Sequence, residues 1–247
     1  MIAIRCGEKI FSNLQAVIFD KDGTIEDSNN FGLALAQLRA RLIDERVPGT
    51  GESLLAMFGV LEDGTLERQG LMAVGSRMEN IIAAAAYIVP MGFSWEKSVA
   101  IAQEAITEAD SRLIRTSDNA ALFPGTLALL QRLKAAGLKL GILSAAAPER
   151  VRGFVARHEL SSYFQLEMGV TARGPFKPDP ALFLEACTLL EVEAEKTLMV
   201  GDSSLDMLMA KQAGAAGAVA ICWKGGTLDY ADVAIANFEQ DAIDLLD

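Results

Sequence analysis

Asp20 and Asp22 stand one residue apart in the run Asp20-Lys21-Asp22-Gly23-Thr24, directly after the apolar stretch Ala16-Val17-Ile18-Phe19. The apolar stretch predicts a buried strand, and Gly23 predicts a turn at its end. Two carboxylates then lie at the carboxyl edge of a sheet, where open α/β folds place their ligands. At this spacing one carboxylate can attack an electrophile while its neighbour handles a proton. Two acids so close repel unless a cation or a proton intervenes. Chemistry that uses concentrated negative charge is therefore expected here.

Three further groups fall just past the ends of predicted strands: Ser144, Lys177 and the turn Gly201-Asp202-Ser203-Ser204-Leu205-Asp206. Taken singly, each has a plain structural reading as a helix cap, an exposed lysine or a surface acid. Asp63-Gly64-Thr65 repeats the letters of the first motif, but Leu61 stands where the first acid would be, so it is a turn candidate. Taken together, Asp20, Asp22 and Asp202, with Asp206 behind them, offer hard oxygen ligands suited to Mg²⁺. Ser144 and Lys177 add a hydroxyl donor and a fixed positive charge suited to phosphate oxygens. A phosphate dianion meeting several carboxylates requires a metal on electrostatic grounds. The set describes a phosphoryl-transfer site.

The elements that position these groups alternate along the chain. Pro124-Gly125 opens a helix around Leu127, Leu130 and Leu133 that stops at Gly137. Leu138 to Leu143 predicts a strand ending at Ser144, and a helix and a strand near Phe164 to Val170 follow. Asp179 and Pro180 are N-cap and first-turn residue of another helix. Thr197 to Val200 and Ala218 to Cys222 predict two more strands, with a helix through Leu205, Leu208 and Met209 between them. This alternation implies a parallel sheet covered on both faces.

Residues 26 to about 121 differ. Apolar residues recur at helical spacing in three stretches: Phe31, Leu35, Leu38 and Leu42; Met78, Ile81, Ile82, Ala85 and Val89; and Trp95, Val99, Ala102, Ile106, Ala109 and Leu113, with Ser94 as N-cap. The gap from Asp20 to Ser144 far exceeds one βαβ unit of about 30 residues. A helical block inserted beside the acid pair accounts for the excess. The N-terminal stretch Met1 to Asn13 suits a small hairpin or edge strand.

The chain has 247 residues, 51% of them hydrophobic, and a formal charge of -11. That size suits one large domain or a core carrying a smaller one. The acidic balance argues against nucleic acid or an anionic membrane surface as partner. Cys6, Cys187 and Cys222 lack metal-site spacing and fit buried thiols in a reducing compartment. The single histidine, His158, makes a histidine-ligated zinc site or a serine triad a poor reading, and its polar helical context suits a solvated surface residue. No secretory signal or bilayer-spanning stretch is visible, so a cytoplasmic protein is expected.

The ordered set Asp20-x-Asp22-Gly23-Thr24, Ser144, Lys177 and Gly201-Asp202-x-x-x-Asp206 resembles the haloacid dehalogenase (HAD) superfamily. The helical insertion straight after the first motif resembles its C1-capped, phosphoglycolate-phosphatase-like branch. Phe123-Pro124-Gly125 and Lys177-Pro178-Asp179-Pro180 are similar to stretches of that branch. The resemblance spans roughly residues 14–25 and 122–225. It implies a Rossmann-like α/β core at 1–25 and 122–247 with a helical cap at 26–121. It further implies that Asp20 forms an aspartyl-phosphate and that Asp22 acts as acid and then base. Asp20, Asp202 and the Asp22 carbonyl would bind Mg²⁺, Asp206 would orient metal-bound water or Lys177, and Ser144 and Lys177 would hold the phosphoryl group.

Two departures from that pattern matter. Ala145-Ala146-Ala147 follows Ser144 where members often carry asparagine, which predicts a smaller and less polar surround. Lys21 occupies a position more often apolar. Its expected form is a packed stem with the amine in solvent, against an electrostatic role near the acid pair. In the cap, Arg68 and Arg77 are candidates for a second anionic group of the substrate, or ordinary surface arginines. The expected function is hydrolysis of a small phosphomonoester. A phosphoglucomutase-like phosphotransferase and a catalytically silent binding protein are the alternatives. A dehalogenase would not need Asp22, and a phosphonatase would need a cap lysine, of which Lys97 is the one present. The oligomeric state is not readable from the chain.

Overall fold

The computed structural model describes residues 2–67, 70–116, 118–171, 174–239 and 242–246. The chain opens with β1 (Ile2–Cys6), β2 (Lys9–Leu14), β3 (Ala16–Phe19) and β4 (Glu26–Asp27). Five helices follow: α1 (Asn29–Asp44), α2 (Gly51–Phe58), α3 (Leu71–Val74), α4 (Arg77–Ile88) and α5 (Trp95–Arg112). After β5 (Ala121–Leu122) the chain alternates through α6 (Thr126–Ala135), β6 (Lys139–Ser144), α7 (Pro148–Arg157), β7 (Leu166–Gly169), α8 (Pro180–Leu190), β8 (Thr197–Gly201), α9 (Ser204–Gln212) and β9 (Gly217–Ile221). Strands β10 (Val233–Ile235) and β11 (Ile243–Leu246) complete it. Contacts divide the chain into two compact units, Met1–Asp27 with Leu122–Asp247, and Ser28–Ala121.

The first unit is built on a six-stranded sheet in the order β10-β9-β8-β3-β6-β7, and every pairing in it is parallel. Strand alternation divides its side chains between two cores. Val17, Phe19, Leu140, Ile142, Leu198 and Val200 pack on one face with Leu129, Leu130 and Leu133 of α6 and Val151, Phe154 and Val155 of α7. Ala16, Ile18, Leu143 and Met199 point the other way, against Leu182, Phe183 and Ala186 of α8 and Met207 and Met209 of α9. Helices on both faces of a parallel sheet make this the expected α/β class. Side chains buried on both faces also explain why the strands read as short continuous apolar runs.

Local signals behave as their chemistry requires. Asp179 caps α8 by accepting from the Ala181 N–H, with Pro180 in the first turn. Ser94 caps α5 through the Lys97 N–H. Asp63 accepts from both the backbone N–H and the hydroxyl of Thr65, so the repeated letters there form a turn. Cys6, Cys187 and Cys222 are free and buried, and burial pushes the Cys6 thiol up to about 12 and that of Cys187 to about 11. No described helix is long and apolar enough to cross a membrane.

The N-terminal hairpin is larger than anticipated, because β1 pairs with β2 on one side and with β11 on the other. In the helical unit α2 and α3 were not anticipated, and the buried stripe of α4 has another phase. Ile81, Ala84, Ala85 and Ile88 are buried, whereas Met78, Ile82 and Val89 are exposed. That helix is apolar almost all round, so spacing alone admits two stripes.

Candidate active site

The acids converge because β3 lies between β8 and β6 in register, with Phe19 opposite both Val200 and Ile142. Asp20, Ser144 and Asp202 therefore emerge at the same edge of the sheet. The Asp20 N–H still donates to the Val200 carbonyl at 2.9 Å, which anchors it at the strand end. The loop then folds back on itself, the N–H groups of Ile25 and Glu26 donating to the Lys21 carbonyl at 3.0 and 2.9 Å. Gly23 has φ +77°, and a Cβ there would lie 2.0 Å from Asp202 Oδ2. Glycine is thus needed both for the turn and for the close approach of Asp202.

A second turn sets the other acids. Ser203 is the N-cap of α9, its hydroxyl accepting from the Asp206 N–H at 3.2 Å and donating to Asp206 Oδ2 at 2.6 Å. The N-cap bond and the hydroxyl-to-carboxylate bond together hold Asp206 in one orientation. Gly201 leaves room for it, since a Cβ there would stand 2.6 Å from the Asp206 carboxylate.

Lys177 lies between two of these acids. Its Nζ is 2.6 Å from Asp20 Oδ1 and 2.6 Å from Asp206 Oδ1, and its side chain is 6% exposed. Burial works against its charge, but the two carboxylates hold its pKa above the ordinary lysine value. Asp20 is pushed up to about 6, chiefly by burial and further by Asp206, with Lys177 opposing. Burial, then Asp20 and Asp206, hold Asp202 well above the usual carboxylate range. Thr24 Oγ1 donates to Asp202 Oδ1 at 3.3 Å. Oxygen atoms of Asp20, Asp202 and Asp206 all lie within 4.8 Å of one another. Among the described residues one lysine lies against these carboxylates, and an all-oxygen set of three acids fits a hard divalent cation.

Other expected site residues take different places. Ser144 is buried at the end of β6, its hydroxyl accepting from the Ala146 N–H at 3.1 Å. The Asp22 carboxylate lies against Lys21, with Oδ2 2.5 Å from Nζ. Arg77 in the helical unit donates through Nε to Asp110 at 3.0 Å and through Nη2 to Thr107 at 2.7 Å. Arg68 lies outside the described residues.

Two expectations are corrected. Lys21 does not reach solvent. It is 1% exposed, its amine held by Asp22 and, at 2.8 Å, by Glu26. His158 is not a solvated surface residue. Its side chain is 7% exposed, 3.6 Å from Glu26, and packs on Phe154 at 5.1 Å between ring centroids. In both cases buried Glu26 supplies the partner that polar context alone did not reveal. Trp223 was missed as well. Its indole N–H donates to the Gly23 carbonyl at 2.9 Å, while its ring stacks on Phe123 at 4.0 Å. Its one sequence signal is its place just past β9.

A model of the family described as haloacid dehalogenase-like hydrolase matches residues 14–214. Among curated proteins, the chain is 36% identical over 108 residues to "Probable phosphatase IndB" of Dickeya dadantii, which covers 44% of the chain and 46% of that protein. It is 29% identical over 199 residues to "Phosphoglycolate phosphatase 1" of Pseudomonas aeruginosa, 80% of the chain and 66% of that protein. The chain thus spans less than half of the first relative and just under two thirds of the second. A crystal structure of a "predicted phosphoglycolate phosphatase" from Haemophilus somnus shares the fold at TM-score 0.70 and 20% identity, over 93% of this chain and 96% of that one.

Proposed function

We propose, from the premise that this chain belongs to the haloacid dehalogenase-like hydrolase family, that it is a Mg²⁺-dependent phosphatase acting on a small phosphomonoester. The observation that carries this reading is the cluster of Asp20, Asp202 and Asp206 around Lys177. A buried surplus of carboxylate is costly unless a cation occupies it, and a cation beside a nucleophilic carboxylate suits attack on a phosphate dianion.

In this reading Asp20 attacks phosphorus, forming the aspartyl-phosphate bond as the bond to the ester oxygen breaks. Asp22 gives its proton to the departing alcohol, then takes one from the water that cleaves the acyl phosphate. Lys177, fixed by Asp20 and Asp206, holds a phosphoryl oxygen, and the Ser144 hydroxyl donates to another. Asp20, Asp202 and the Asp22 backbone carbonyl would hold Mg²⁺, with Asp206 behind them. The bound ion supplies charge neutralisation that lets a dianion approach the acids. The helical unit Ser28–Ala121, inserted directly after the acid loop, acts as the cap that selects the ester. The three buried thiols accord with a reducing, cytoplasmic setting.

The names carried by the Pseudomonas and Haemophilus proteins make 2-phosphoglycolate the first substrate to try. Phosphate release from a panel of phosphomonoesters, with Mg²⁺ and with a chelator, tests the reading. Release that the chelator abolishes is expected. Folded protein that frees no phosphate from any member would sink it, and an isomerised sugar phosphate in place of free phosphate would make the chain a phosphotransferase.

A further inference from the structure

Lys21 separates the two acids of the loop, and its amine is held from three directions. Nζ lies 2.5 Å from Asp22 Oδ2 and 2.8 Å from Glu26 Oε2, and 5.5 Å from the centroid of the Phe154 ring. Glu26 is fully buried. It is held in turn by an ion pair with Arg157 and by His158 at 3.6 Å. Phe154 and Arg157 belong to α7, so the amine is tied to a helix packed on the sheet. A buried ammonium between two carboxylates does not exchange these partners for solvent without a large loss of charge compensation.

Stability alone does not account for this arrangement. Two apolar side chains of similar volume would fill the same space without the cost of desolvating a lysine and a glutamate. What the ion pair supplies is a fixed point against which one oxygen of the Asp22 carboxylate is set. An acid/base group works only when held within about 0.5 Å of its productive geometry.

We infer that Lys21 is a positioning residue: buttressed by Glu26 and Arg157, it holds the Asp22 carboxylate in the orientation that delivers a proton to the leaving oxygen. This rests on the reading of Asp22 as acid and base given above. Asp20 remains the nucleophile, and Lys21 itself takes no part in bond making. Loss of Lys21 should therefore matter most where the departing alcohol needs a proton and least where it leaves readily as an anion.

The test compares wild type, Lys21→Met and Glu26→Gln with Mg²⁺ on phosphomonoesters whose leaving groups run from alkyl alcohols to p-nitrophenol. kcat/KM reports the phosphorylation of Asp20. Lys21→Met keeps side-chain volume and leaves Glu26 to Arg157. It is expected to lose about 100-fold on the alkyl esters and less than about 10-fold on p-nitrophenyl phosphate, within the range for a general acid. Glu26→Gln is expected to steepen the dependence in the same direction but less, and carries the test if Lys21→Met does not fold. An equal loss across the series, or none, overturns the inference. Crystal structures of wild type and variant add a readout independent of turnover. A displaced or multiply placed Asp22 carboxylate in the variant supports the inference, and an unmoved one overturns it. Inactivity of the wild type across the panel would remove the phosphatase reading alone, with the Asp22 placement still deciding the role of Lys21.

Discussion

Each unit buries a cluster of charge, and the two clusters differ in balance. In the helical unit Asp110 on α5 accepts from Arg39 of α1 at 2.7 Å and from Arg77 of α4 at 3.0 Å. Arg39 also donates to Asn80 Oδ1 at 3.3 Å and approaches Met72 Sδ at 3.4 Å. This cluster joins α1, α4 and α5 and touches α3 through Met72, with a carboxylate set between two planar guanidiniums that fan out to several acceptors. In the sheet unit one lysine faces Asp20, Asp202 and Asp206, and two of those carboxyls are pushed above their ordinary range. A cluster whose carboxylate is ringed by guanidinium donors holds helices together. One rich in carboxylates suits a cation from outside.

The two clusters should differ most in their response to substitution at Asp20. Asp20→Asn should cost about 10⁴-fold or more in turnover, the scale of losing a nucleophile, while its melting temperature stays level or rises as repulsion falls. Turnover near wild type would end the functional half of the contrast. Chelation, or Asp202→Asn, should lower phosphate release by about 100-fold or more and, for the variant, abolish any melting shift caused by Mg²⁺. In the helical unit the effect should fall on stability instead. Asp110→Asn leaves Arg39 buried beside a neutral partner and should cost about 3 kcal/mol in denaturant unfolding, with turnover of p-nitrophenyl phosphate retained. Lost turnover at full stability would erase the distinction between the clusters.

A smaller effect follows from the raised carboxyl of Asp20. Its pKa is about 6 in the folded chain against a reference of 3.8. A raised value favours the folded state below about pH 4, and that contribution is lost as pH rises through 6. The metal-free wild type should therefore lose on the order of 2 kcal/mol relative to Asp20→Asn between pH 4 and 7. Mg²⁺ should raise its melting temperature more at pH 7.5 than at pH 5, and equal shifts at both would count against the metal assignment. The smallest change is expected from Arg77→Ala. Its guanidinium is spent on Asp110 and Thr107 and is 42% exposed. A loss below about 1 kcal/mol and an unchanged KM across the panel would place it with the scaffold, and a KM rise confined to esters bearing a second anion would give it a part in recognition.

Much of the sheet was legible because its strands are buried on both faces. Ala16 to Phe19 and Thr197 to Val200 admit few other forms, and Asp179-Pro180 marks a helix start through its own hydrogen-bonding chemistry. What stayed hidden depends on partners far along the chain. β11 is a strand because it meets β1, and nothing local in Ile243–Leu246 announces that. The site divides in the same way. Gly23 and Gly201 flag turns that bring acids close, so the motifs could be found from their letters. The fates of Lys21 and His158 turn on buried Glu26, to which α7 also brings Arg157. Two residues more than a hundred positions apart pair there, and neither carries a mark of the other.

Register also has a consequence for synthesis. Phe19 leaves the ribosome early, yet its neighbours in the sheet are Ile142 and Val200. The helical unit, rich in local contacts, can fold while β3 waits without a partner. Until β8 emerges, Asp20 faces neither Asp202 nor Asp206, and a nascent chain is spared their mutual repulsion. A ribosome stalled between β6 and β8 would thus display a sheet whose acids have not yet gathered.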